Sequence, residues 1–120
     1  MILFSGKCLF RTFPAFFVAS NKLFGGTPMF KMLFENVQQQ TPLVHCITNY
    51  VTVNDVANAL LAAGGSPIMA DAPEEVADIT SICTALNLNI GTLNSRAVES
   101  MLLAGRQANA LSHPVVLDPV

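Results

Sequence analysis

Several residues able to do chemistry stand directly after short apolar runs: Asn49, Tyr50 and Val51 after Leu43-Val44-His45-Cys46-Ile47-Thr48, Met69 and Asp71 around the end of Ser66-Pro67-Ile68, Asn89 and Gly91 at Leu88-Asn89-Ile90, and Asp118 after Val115-Val116-Leu117. If those runs are neighbouring parallel strands, the residues just past them converge on one edge, where open α/β sheets hold their ligands. Asp118 ends an apolar strand and precedes a proline; such an acid suits a metal-bound phosphate and equally suits the cap of a following helix. The Asn49 amide can face a ligand or bond the backbone of its own turn. The Met69 thioether can lie against a flat heteroaromatic ring or simply fill the core. Asp71 reads as a helix cap. His45, flanked by apolar residues in mid-strand, reads as a satisfied buried histidine rather than a base, and His113 carries no pattern.

The stretch Pro42 to Gly65 would position the first of these groups, because it reads as a buried strand, a turn and a helix. Leu43, His45 and Ile47 fall on one face of the strand and Val44, Cys46 and Thr48 on the other, so both faces are largely apolar, as in a parallel sheet covered on both sides. Thr52 and Asp55 have capping-box spacing, and Val56, Ala59, Leu60 and Ala63 form the stripe expected to face the sheet, with Gly64 ending the helix. Before it, Lys31 to Gln40 suits a short helix stopped at Thr41-Pro42. After it, a strand over Ser66 to Ala70 leads to a helix expected to be capped by Asp71, with Pro73 in its first turn and Val76, Ile79, Cys83 and Leu86 as its buried stripe. Leu88 to Ile90 is the third strand. Thr92 or Asn94 caps a third helix with Ala97, Met101, Ala104 and Ala108 inward, and Val115 to Asp118 is the fourth strand. The alternation predicts an α/β fold: a parallel, right-handed, doubly wound sheet with helices on both faces, cut off after its fourth strand, which is expected to be an exposed edge.

Composition restricts the partners. The 120 residues allow one modest core; 52% are hydrophobic and only 12% charged, as in a piece of something larger. A net charge of −2 with six Lys and Arg offers no basic stripe, so nucleic acid is not an expected partner. No run approaches the roughly 20 apolar residues of a membrane-crossing helix. Cys8, Cys46 and Cys83 form no CxxC and read as small apolar residues, which points to the cytoplasm. There is no GxGxxG and no phosphate-cradling Gly-Lys-Ser/Thr, so neither a dinucleotide domain nor a P-loop is supported. Residues 1–30 differ from the rest: they hold seven of the eight Phe, no acid, and no helical or strand period. They are expected to be a poorly ordered extension outside the fold, upstream of a true start at Met29 or Met32, with a short secretory signal around Pro14 to Ser20 as the alternative.

The wording of the chain from about Met32 onward resembles hydroxyethylthiazole kinase: HCITN, GGSPIMA, EEVADI, LNIGTL and LDPV occur in that family's order and spacing. The resemblance implies a ribokinase-like fold over residues 31–120. It also implies use of ATP and Mg2+ to phosphorylate the hydroxyl of 4-methyl-5-(2-hydroxyethyl)thiazole in thiamine salvage, within a homotrimer whose pocket lies between subunits. Carried onto this sequence, it implies that Asn49, Val51 and Met69 line the thiazole pocket, with the Met69 backbone N–H meeting the ring nitrogen, and that Asp118 belongs to the metal and phosphate side. By that resemblance the family's glycine-rich anion hole, the arginine and threonine that meet ATP and the distal cysteine near the reacting hydroxyl are expected beyond Val120. No catalytic residue is therefore expected here, and the chain alone is expected to be inactive, because phosphoryl transfer depends on positioned charge around the phosphates. The alternative is a non-catalytic fragment that binds thiazole or a partner subunit.

Overall fold

The structure, a computed structural model, describes Ile2–Phe4 and residues 28–120; expectations for the Phe-rich segment between them lie outside the described residues. The elements are β1 (Ile2–Phe4), α1 (Pro28–Gln40), β2 (Leu43–Ile47), α2 (Val53–Ala63), β3 (Ser66–Ile68), α3 (Val76–Ile82), β4 (Ala85–Asn89), α4 (Ser95–Ala110) and β5 (Val115–Asp118). The sheet order is β1-β5-β4-β2-β3. β2 pairs in parallel with both β3 and β4, and β4 in parallel with β5, so four strands run the same way as expected. The outer side of β5, expected to be an open edge, is paired antiparallel by β1.

This order explains the layering. The chain steps from β2 to β3 in one direction, then crosses back over β2 to β4 and on to β5 in the other. Right-handed crossovers therefore put α2 on one face and α3 and α4 on the opposite face. On the α3–α4 face, Ile47, Val76, Leu86, Leu88, Met101, Ala104, Ala108 and Val115 form one buried cluster. Ala104 and Ala108, one turn apart and fully buried, let α4 approach the sheet closely. Cys46 is on the other face of β2, where α2 carries no fully buried residue.

Local chemistry places most boundaries and corrects some. Asn94 caps α4 by accepting the Ala97 N–H at 2.9 Å; Thr92 does not take that role. Gly64 ends α2 in the left-handed conformation (φ 95°) that a helix stop requires. Asp71 does not cap α3: that helix starts only at Val76, after a turn through Pro73, because the Asp71 carboxylate is engaged by Tyr50. Thr52 is the residue before α2 but makes no side-chain cap bond, its hydroxyl donating instead to Asn49 Oδ1 at 3.1 Å. In the α2 stripe Ala59 is exposed and Ala57 is half-buried, and Leu86, assigned to the α3 stripe, belongs to β4. The core strand is Ala85–Asn89 rather than 88–90.

Candidate functional site

The chain reverses its direction of travel across the sheet between β2 and β4, and the crevice outside the carboxyl ends of those two strands is the place where doubly wound sheets bind ligands. Side-chain amides bridge it. Asn49 Nδ2 donates to Asn89 Oδ1 at 3.0 Å, and Asn89 Nδ2 donates to Asp118 Oδ2 at 2.9 Å, giving a continuous relay over the ends of β2, β4 and β5. The turns fix its two ends. Asn49 Oδ1 accepts from the Thr52 N–H and hydroxyl, both at 3.1 Å, and Asp118 Oδ1 accepts from the Val120 N–H at 3.1 Å. Asn89 Oδ1 also accepts from the Gly91 N–H at 3.0 Å. Space there is tight: a Cβ on Gly91 would come 2.8 Å from Val120 Cγ2, 3.0 Å from Asn89 Oδ1 and 3.1 Å from Asn49 Nδ2, so a larger residue would push on the relay amides. Beside the relay the Thr48 hydroxyl is buried and has no hydrogen-bond partner among the described residues.

Met69 follows β3 at the same edge and is half-buried. The chain after it is held from below by two fully buried side chains. His45 Nε2 lies 2.8 Å from the Ala70 carbonyl oxygen, and Ser100 Oγ lies 2.6 Å from that of Asp71. A carbonyl only accepts, so His45 Nε2 carries the proton; Nδ1, 2.8 Å from Thr80 Oγ1, then accepts from that hydroxyl. Burial pushes the His45 pKa below its ordinary 6.5, which favours this neutral form, while the Ala70 carbonyl and the charge of Glu75 work in the opposite direction. Above the edge, the Tyr50 phenol donates to Asp71 Oδ2 at 2.5 Å, and this bond to an acceptor raises the phenol pKa. Tyr50 (69% exposed) and Val51 (88%) leave the turn after β2 as an open apolar rim.

The geometry thus brings Asn49, Met69 and Asp118 to one end of the sheet, with Val51 at its outer lip. Asn49 does hold its own turn, yet its amide also reaches across the crevice, so the two readings of that residue are one arrangement. His45 is the satisfied buried histidine that its flanks suggested. The role of Asn89 as the hinge of the relay had no signature in the sequence: a lone Asn in a short strand has no distinctive spacing, and only the order of strands puts it between Asn49 and Asp118. Among the described residues no three His, Cys, Asp or Glu side chains gather around one point, so Asp118 is a single carboxylate and not a metal cage. Each of its oxygens accepts one N–H and keeps a further lone pair.

Comparison with known proteins follows the same residues. The model of the hydroxyethylthiazole kinase family matches residues 34–120. The chain is 64% identical over 92 residues to hydroxyethylthiazole kinase of Desulfovibrio desulfuricans, covering 77% of this chain and 32% of that protein. It is 65% identical over 92 residues to the Clostridium acetobutylicum protein of the same name, covering 77% and 34%. The solved structure of hydroxyethylthiazole kinase from Pyrococcus horikoshii superposes with a TM-score of 0.72 at 48% identity, over 74% of this chain and 35% of that one. The chain thus spans about a third of the length of the curated relatives it matches. With its four parallel strands, its crossover helices and a match running from residue 34 to 120, this chain belongs to the hydroxyethylthiazole kinase family.

Proposed function

We propose that the switch-point crevice is the thiazole-binding half of a hydroxyethylthiazole kinase site, used in thiamine salvage to phosphorylate the hydroxyl of 4-methyl-5-(2-hydroxyethyl)thiazole at the expense of ATP. The observation that carries this reading is the amide relay Asn49–Asn89–Asp118 across the ends of β2, β4 and β5, in a chain of this family. A small, largely apolar heterocycle is best held by apolar walls and a few fixed polar groups. Met69 and Val51 supply the walls, the Met69 backbone N–H meets the ring nitrogen, and Asn49 orients the ring. Asp118 faces the phosphate side. A magnesium ion is bound by one or two carboxylates together with substrate phosphates rather than by an all-protein cage, so a lone Asp118 with free lone pairs fits that group. The cation supplies neutralisation of phosphate charge when bound.

The exposed apolar rim of Tyr50 and Val51 supports a pocket completed by a neighbouring subunit, in a homotrimer. No helix among the described residues is long and apolar enough to cross a membrane, and a cytoplasmic location fits a salvage kinase. In this reading the 120 residues bind thiazole but do not transfer phosphate on their own, because positioned charge around the phosphates dominates that chemistry. Calorimetric titration of the purified chain with the thiazole, with and without ATP and magnesium, tests this. Heat of binding that is unchanged by nucleotide, with no thiazole phosphate formed, is the expected result; phosphorylation at the rate of a full-length relative overturns the assignment of a half site, and absence of any thiazole binding overturns the site itself.

A further inference from the structure

The chain just past Met69 is not held by strand pairing. β3 ends at Ile68, and the next residues run as irregular chain to Val76. What fixes them is underneath: His45, from the middle of β2, donates its Nε2–H to the Ala70 carbonyl at 2.8 Å, and Ser100, from α4, reaches the Asp71 carbonyl at 2.6 Å. Both side chains are fully buried. His45 is in turn oriented by Thr80 of α3, whose hydroxyl is 2.8 Å from Nδ1 and is itself fully buried. The imidazole therefore links the central strand, a helix on the α3–α4 face and the irregular segment that follows Met69. A buried, fully bonded polar network of this kind fixes geometry, because any displaced conformer leaves a group unpaired.

We propose that His45 is a positioning residue for substrate: through its Nε2–H bond to the Ala70 carbonyl it holds the Ala70–Asp71 peptide, and with it the chain leaving Met69 at the wall of the ligand site, in one orientation. The proposal rests on the thiazole reading given above. It separates two functions of one side chain, the Nε2 bond that sets ligand geometry and the Nδ1 bond that anchors α3.

Two conservative variants divide them. In His45→Gln the terminal amide N–H can replace the Nε2–H toward Ala70. In His45→Asn the shorter side chain can accept from Thr80 at the Nδ1 position but cannot reach Ala70. Each loses one buried hydrogen bond, so similar losses of stability are expected from both, and thermal unfolding establishes that both fold. The expected difference is in binding, measured by calorimetry well below the unfolding midpoint. His45→Gln keeps the thiazole dissociation constant within about twofold of wild type, and His45→Asn weakens it about tenfold, the cost of one unmade buried bond. Backbone 15N relaxation gives a second readout that needs no ligand: Ala70 and Asp71 keep rigid order parameters of about 0.85 in wild type and in His45→Gln, and fall toward 0.6 in His45→Asn. Equal affinities in the two variants, or rigid Ala70 and Asp71 amides in both, overturn the proposal. If the wild-type chain binds no thiazole, the functional reading fails, and the relaxation data alone decide whether His45 holds this segment.

Discussion

A proton added to His45 would enter a site that water does not reach. The ring is fully buried between Thr80 and the Ala70 carbonyl, and desolvation lowers its pKa below 6.5. In the unfolded chain the same imidazole titrates near 6.5, so at pH values between the depressed folded pKa and 6.5 the unfolded state binds more protons than the folded one. Stability therefore rises with pH through that window. It is fully present above about 6.5 and is lost as pH falls through the folded pKa, after which His45 adds no further dependence. Glu75, the charged neighbour that favours protonation, narrows the window without reversing it. Urea unfolding between pH 7 and pH 5 checks this: the wild-type midpoint should fall more steeply than that of His45→Gln, which cannot titrate, and parallel curves would refute the assignment. Cys46, next along β2, points to the opposite face, where burial pushes its thiol up to about 11, so it stays a neutral apolar group near pH 7. That alternation is why a single strand can carry a polar clamp on one side and an inert cysteine on the other.

Among the elements, α2 depends most on one backbone conformation. Gly64 stops it at φ 95°, with its N–H bonded back to Leu61, and a Cβ there would stand 2.7 Å from Gln38 Cγ and 3.0 Å from Gln38 Cα on α1. The left-handed conformation alone costs a side-chain-bearing residue about 1–2 kcal/mol, and the contact with α1 backbone adds to it. Gly64→Ala should thus lower stability to urea by more than about 1 kcal/mol, and a variant as stable as wild type would show that α1 is not packed there. This glycine was legible in the sequence because a helix stop needs a residue free to take positive φ. Asp71 misled for a physical reason: an Asp before a proline and two acids has every local feature of a cap, but the competing partner, Tyr50, is 21 residues away in sequence. The α2 stripe slipped for a related reason. Ala57 and Ala59 look alike to a helical period in a run this rich in alanine, and only contact with the sheet decides that Ala57 turns inward. Asn94 was legible as one of two caps, and its bond to Ala97 chose between them.

For the whole molecule, strand direction was readable from alternation while strand order was not, since a β-α-β pattern fixes handedness but leaves open which neighbour each strand takes. That order is what creates the crevice at Asn49 and Asn89, so the site's members were legible and its relay was not. The same order leaves the two faces unequally covered. On one, α3 and α4 bury Val76, Thr80, Ser100, Met101, Ala104 and Ala108; on the other, α2 buries no residue fully. Burial of a large apolar side chain contributes about 1.5–3 kcal/mol, so the two sides should differ by several kcal/mol in their resistance to local opening. Native-state hydrogen exchange reads this directly. Amides of β4 and α4 should exchange only through global unfolding, with a denaturant dependence matching that of the whole chain, whereas α2 amides should exchange through a smaller opening that is nearly independent of low urea. If α2 proves as protected as β4, its half-buried stripe of Val53, Val56, Ala57, Leu60 and Ala63 holds the helix as firmly as a full core does, and the unequal-face account is wrong. If it opens first, the turn that carries Asn49 to Thr52 opens with it, and ligand bound at the crevice should close that gap by binding only the docked form.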